Sequence, residues 1–200
     1  MGRRGLHPGA VALTTPAARR ERAIVERLAV RFPDFTRLAA AVVMRLPRFR
    51  GRDALIAYAY RRTYAAYNRR DWEFNTLLLD PDSYELRPGD VTRITPDAEP
   101  SYRGLEGYLE GMSVLARGWS NPQVRFDGFF EVEHGAKLVS LIRFVGADTG
   151  SGIPFDQPVA DLQALRRGLI VSQSYYWDRS EGLRAAGIDR ARSAAGDRRR

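Results

Sequence analysis

The chain contains no cysteine and only two histidines, His7 and His134, which stand 127 positions apart. Thiolate nucleophiles, disulfides and cysteine-based zinc sites are therefore excluded. A metal would have to be held by two distant imidazoles and carboxylates, which argues against one, and no motif asks for a cofactor. His134 precedes Gly135 at an expected hairpin tip, the place of a solvated turn residue rather than a catalyst. The remaining candidates are aromatic and polar residues with regular spacing. Ile56, Tyr60, Thr63, Tyr64 and Tyr67 follow i, i+4, i+7, i+8, i+11, the pattern of one buried helix face. Gln173, Tyr175 and Trp177 alternate and so share one face of a strand. Phenols, an amide and an indole bind and orient; they do not attack.

Elements that could position these groups follow from periodicity and breakers. Residues 1–16 and 189–200 show none and read as a disordered arm and a disordered basic tail. Ile24, Val25, Leu28 and Phe32 predict a helix over 17–32, and 35–46 a second one ended by Pro47, so that 17–50 form an amphipathic helical extension. Packing of that apolar stripe on the main domain or on a partner subunit is preferred to a membrane-surface role. The main domain, 51–188, opens with a helix capped by Asp53 and ending at Tyr67. Asp71 caps a short helix to Leu79, a strand covers 83–87, and Leu105, Tyr108, Leu109, Met112 and Ala116 mark a third helix. Four strands follow, over 123–133, 137–145, 153–165 and 169–177, the second apolar on both faces. Helices first and a strand meander last argue an α+β fold, with three helices against a strongly curved antiparallel sheet.

The net charge of +8 is unevenly spread. Residues 1–70 hold 16 arginines against 4 acids, whereas 71–187 hold 11 basic and 18 acidic residues. The domain is acidic and the basic excess belongs to its appendages, without the interleaved aromatics of a nucleic-acid binder. The longest apolar run, seven residues at 38–44, is far short of the roughly 20 needed to span a bilayer. With no secretory leader pattern at Met1, a cytoplasmic location is expected.

Several local phrases resemble the SnoaL-like branch of the nuclear-transport-factor-2-like superfamily. These are Tyr64-Ala-Ala-Tyr-Asn-Arg-Arg-Asp71 into Leu77-Leu-Leu-Asp-Pro-Asp82, Leu86-Arg-Pro-Gly-Asp90, Tyr102-Arg-Gly-Leu-Glu-Gly107, and Trp177-Asp-Arg-Ser-Glu-Gly-Leu-Arg-Ala-Ala-Gly187. The resemblance implies a cone-shaped sheet closing over the first helices around an apolar pocket. Anchored on Asp71 and Gly168, the ketosteroid isomerases of the superfamily place their oxyanion-hole tyrosine on Thr63, their general base on Arg87 and their protonated aspartate on Ala160. None of these can do that work, so the isomerase proton shuttle is not expected.

The same register implies a pocket faced by Tyr60, Thr63, Tyr67, Arg87, Leu162, Gln173, Tyr175 and Trp177, an aromatic cup with one fixed cation. It would suit a small hydrophobic molecule carrying an anionic oxygen for Arg87, unless Arg87 is ion-paired to Glu85, Asp90 or Asp161. Asp161 is the candidate general acid or base, although alternation from Ala160 turns it away from the cup unless a bulge intervenes. The expected function is a small-molecule-binding domain; the alternative is a cofactor-independent isomerase, cyclase or hydratase of a hydrophobic metabolite. A homodimer through the outer face of the sheet is expected, because the strand over 137–145 is apolar on both sides.

Overall fold

A computed structural model describes residues 15–89, 97–117 and 119–188. The two terminal segments expected to lack order therefore lie outside the described residues, except that Thr15 and Pro16 already begin a helix. Thr15 accepts from the Ala18 amide and Pro16 supplies a preset φ, which together start α1 (Pro16–Arg20). The single helix predicted over 17–32 is broken after α1 and resumes as α2 (Ile24–Arg31), whose first turn is held by the Glu26 carboxylate accepting from the Ala23 amide. Pro33 then opens α3 (Pro33–Arg45).

The main helix, α4 (Arg50–Asn68), begins earlier than predicted. Asp53 is not its cap but sits in its first turn, where it is near Arg48 and Arg52. Asp71 does cap α5 (Trp72–Asn75), accepting from the Phe74 amide, and the helix stops well before Leu79. Strands β1 (Glu85–Arg87) and β2 (Tyr102–Arg103) lead into α6 (Gly104–Ala116). The long strands are β3 (Trp119–Val132), β4 (Lys137–Asp148), β5 (Pro154–Arg166) and β6 (Leu169–Tyr176), and α7 (Arg179–Ala185) closes the described chain.

The sheet has six strands in the order β2-β1-β6-β5-β4-β3. The expectation of a wholly antiparallel sheet is corrected at one pairing, since β1 runs parallel to β6, Leu86 opposite Gln173. The four long strands are joined by hairpins and must alternate in direction; β1 reaches the sheet from the helices, so no hairpin dictates its sense. Register shifts at Ser120/Gln123, Phe126/Gly128 and Ala164/Leu165 bend the sheet into an open cone. Its concave face carries the main core, Ile56, Tyr60 and Tyr64 of α4 against Val124, Leu138 and Ile142 of the strands.

The convex face is partly covered from within the chain. Asp178 caps α7, and Gly182 allows the helix onto β5, where an added Cβ would lie 2.5 Å from that of Ala160. Leu183 and Ala186 pack there with Val139, Ala160 and Leu162. Cover that the sequence suggests for a second copy is supplied in part by this helix. No helix was expected after the strand over 169–177, although Asp178 at a cap position and Gly187 at a left-handed stop, φ +83°, mark one.

The N-terminal helices are fastened by charges. Arg22 donates to Asp71 Oδ1 at 2.5 Å and Oδ2 at 2.7 Å and to Glu73 at 2.7 Å. Glu26, fully buried, lies 3.0 Å from both Arg62 and Arg69. α3 is held where Arg37 donates to the Leu77 carbonyl and where the β5–β6 turn meets it. A Cβ on Gly168 would come within 2.5 Å of Ala41 Cα.

Candidate functional site

Direct pairing across β5 and β6 places Gln163 opposite Gln173 and Asp161 opposite Tyr175, so all four side chains point to one face. That face is the concave one. α4 crosses it with Tyr60 and Tyr64 one turn apart, their rings 6.1 Å apart and Tyr60 stacked on Phe126 at 5.6 Å. Between helix and sheet lies a cavity of about 430 Å³. Its inner wall carries Tyr60, Tyr64, Tyr108, Gln163, Gln173 and Tyr175; its outer wall is made by apolar residues of α2, α3 and the joint between them, among them Val25, Phe32, Ala39 and Val43.

The polar groups at the inner end form one connected network. Asp161 Oδ2 accepts from the Tyr64 hydroxyl at 3.0 Å, from Gln163 Nε2 at 2.7 Å and from Gln173 Nε2 at 2.8 Å. The amide oxygens are occupied in turn, Gln163 by the Tyr60 hydroxyl at 2.6 Å and Gln173 by that of Tyr84 at 2.8 Å. Ser140 faces Asp161 from β4, its hydroxyl beside the phenols of Tyr60 and Tyr64. A second pair, Tyr108 donating to Asn75 Oδ1 at 2.5 Å, closes the wall on the α6 side. Asp161 Oδ1 is buried without a hydrogen-bond partner among the described residues.

Burial dominates the electrostatics. Removal from water pushes the Asp161 carboxyl up to about 7, even though the three donors favour its charged form. Tyr60, Tyr64, Tyr84, Tyr108 and Tyr175 are all raised by burial and stay protonated at neutral pH. Asp71 lies on the opposite side of the balance, held below the ordinary carboxylate range because the Arg22 and Arg69 guanidiniums outweigh its desolvation.

Of the residues predicted to face the pocket, Tyr60, Thr63, Tyr67, Gln173 and Tyr175 line it. Leu162 does not: it lies between the inward Asp161 and Gln163 and packs on the convex face with Val139 and Ala160. Arg87 does not either. It is exposed and donates to Glu85 at 2.8 Å, because Leu86 takes the inward position on β1 and turns its neighbours out. The cation that lines the cavity is Arg62, itself paired to Glu26. Trp177 lies beyond the wall against Trp119, ring centroids 6.4 Å apart. Asp161 is corrected in the other sense: it points inward, behind Gln163, Gln173 and Tyr175. The inward position on β5 is therefore Asp161, while Ala160 packs on the convex face.

Tyr64, Tyr108, Asn75 and Gln163 were missed as site residues. Tyr64 and Tyr108 were already visible in helical stripes, and Gln163 follows from Asp161 by strand period alone. His134, in the turn between β3 and β4, is exposed as expected.

No protein-family model matches the chain, and no curated protein matches it. Solved structures do resemble it. A nuclear-transport-factor-2-like protein of unknown function from Burkholderia pseudomallei is 18% identical over 64% of this chain and 95% of its own, with a TM-score of 0.53. A putative SnoaL-like polyketide cyclase from a Jannaschia species is 18% identical over 72% and 99%, with a TM-score of 0.51. TerC, co-crystallised with polyporic acid, is 16% identical over 64% and 95%, with a TM-score of 0.52. An open cone of sheet, helices across its concave face and an apolar cavity between them define the nuclear-transport-factor-2-like fold. The chain shares the fold of these nuclear-transport-factor-2-like and SnoaL-like structures, the fold that its sequence phrases implied.

Proposed function

We propose that the cavity between α4 and the sheet binds one small, largely apolar molecule whose few polar atoms meet the phenol and amide groups at its inner end. The observation that carries this is the cavity itself. A volume of about 430 Å³, aliphatic and aromatic walls, and polar groups gathered at one end are the features of a ligand site rather than of a close-packed core. A fold neighbour co-crystallised with polyporic acid supports it. An anionic group on the ligand has lost its expected partner with Arg87 at the surface, so a neutral, hydrogen-bonding ligand is favoured.

A second reading is favoured by one specific observation, the carboxyl of Asp161 held near neutrality beside a cavity-lining phenol. Such a pair could hold or pass a proton at Tyr64 Oη in a cofactor-independent isomerase, cyclase or hydratase. A phenol and a protonated carboxyl are the group types of the isomerase oxyanion hole, although the resemblance sets those positions on Thr63 and Ala160 and not on Tyr64 and Asp161. Here they are bonded to each other, and the corresponding base is not supplied by Arg87. The binding reading therefore stands first.

Native mass spectrometry of the purified full chain, followed by denaturing extraction, tests it. A stoichiometric apolar adduct is expected. Protein that is empty, and whose melting temperature no apolar compound raises, would overturn the reading. With a ligand in hand, Asp161→Asn divides the two functions: conversion of the ligand by the wild type, lost in the variant with binding kept, assigns an enzyme.

A further inference from the structure

The helix α2 is amphipathic in the reverse of the usual sense. Its charged side faces the protein: Glu26 is 0% exposed, held by Arg62 and Arg69, just beyond the buried Arg22–Asp71 pair. Its apolar side faces outward, with Ile24 75% and Leu28 54% exposed. The stripe continues through Phe32 at 55% and along α3 through Phe35 at 71%, Leu38 at 62% and Val42 at 49%, spacings that keep them on one side of that helix. A soluble protein does not ordinarily turn so contiguous an apolar surface to water. The charged residues that could have solvated it are used for tethering instead.

The border of this face decides what it fits. Arg27, Arg31 and Arg45 of these helices and the nearby Arg50 are exposed beside it, whereas the acids on the same helices are engaged, Glu26 by Arg62 and Arg69 and Asp34 loosely by Arg37 at 3.9 Å. A second copy presenting the same face would bring two such arginine borders together, like charge against like. An apolar strip edged by arginines matches a layer whose interior is hydrocarbon and whose surface is negative. No described helix is long and apolar enough to cross a membrane, and α3 has only 13 residues, so the helices would lie along the surface. We propose that the outward face of α2 and α3 docks on an anionic phospholipid surface. Val25, Phe32 and Phe35 belong to this face and also line the cavity, so the docked protein would open its pocket toward the lipid. That last consequence rests on the ligand-binding reading; the docking does not.

The test is flotation of the full chain with vesicles of equal phosphatidylglycerol and phosphatidylcholine, against phosphatidylcholine alone, at about 0.15 M salt, where exposed charges are already partly screened. Binding to the anionic vesicles is expected to be at least about tenfold tighter and to weaken as salt rises. Two variants separate the contributions. Ile24→Ser with Leu38→Ser removes two exposed side chains that do not line the cavity, and should lower vesicle binding roughly tenfold or more with melting temperature and any co-purifying ligand unchanged. Arg31→Glu with Arg45→Glu should abolish the preference for anionic lipid. Equal binding to both vesicle types, no binding to either, or wild-type binding by both variants would overturn the proposal. So would a sedimentation dimer that the Ile24/Leu38 variant dissociates, which would assign the face to a second copy. An empty pocket with intact vesicle binding would instead remove only the ligand-binding reading.

Discussion

Replacing Asp161 by Asn should change how stability depends on pH, because burial raises the carboxyl that the substitution removes. Asn has nearly the same shape and keeps an acceptor oxygen toward Tyr64, Gln163 and Gln173, but it does not titrate. In the wild type the carboxyl titrates near its ordinary 3.8 when unfolded and near about 7 when folded. Between those values the native state holds one more proton than the unfolded state, so stability falls as pH rises. The group's contribution is complete below the unfolded pKa and is lost as pH passes through the folded one. At roughly 1.4 kcal/mol per pH unit the gap amounts to about 4 kcal/mol. Every other group titrates in both proteins and cancels in their difference. Urea unfolding of wild type and variant at a series of pH values from 4 to 8 should therefore show the stability difference, wild type minus Asp161→Asn, shrinking or reversing by about 4 kcal/mol across the range. In melting temperature the same change is roughly 10 °C. A difference constant with pH would refute the burial argument, and one that grew with pH would mean that the three donors outweigh desolvation.

Other consequences are simpler. Arg22→Met leaves Asp71 buried with one guanidinium partner fewer and should cost about 3 kcal/mol in urea unfolding. Asp71 is held low in the folded protein, so its contribution is present above its unfolded pKa and lost as pH falls through the folded value; Arg22→Met should accordingly flatten the acid limb of a melting-temperature profile. Gly168→Ala asks a side chain to adopt φ +79° and to enter α3 2.5 Å from Ala41 Cα, and should cost at least about 2 kcal/mol by the same measurement. Arg87→Leu removes an exposed ion pair and should change stability by less than about 1 kcal/mol while leaving any co-purifying ligand in place, which native mass spectrometry would report.

The sequence by itself determined the main helices, the four long strands and much of the inner wall, though not β2 or α7. A helical stripe needs only its own spacing to declare a buried face, so Tyr60, Thr63 and Tyr67 were legible, and Tyr64 stood among them. Alternation likewise tied Gln173 to Tyr175, and the hairpin breakers fixed an antiparallel meander. Alternation within a strand, however, says which residues share a face and not which face is inside. On β5 the expected register turned Leu162 inward and Asp161 outward, and the structure exchanges the two. The tertiary pairing of Gln163 with Gln173 decided the matter, since directly opposed residues must face the same way. On β1 the turn of Leu86 into the core sent Arg87 out to Glu85. The N-terminal helices show the same division. Their amphipathic pattern was plain in sequence, but a pattern carries no sign. Only the contacts of Arg22 and Glu26 with Asp71, Arg62 and Arg69 reveal that the polar side was spent on the protein and the apolar side left facing outward.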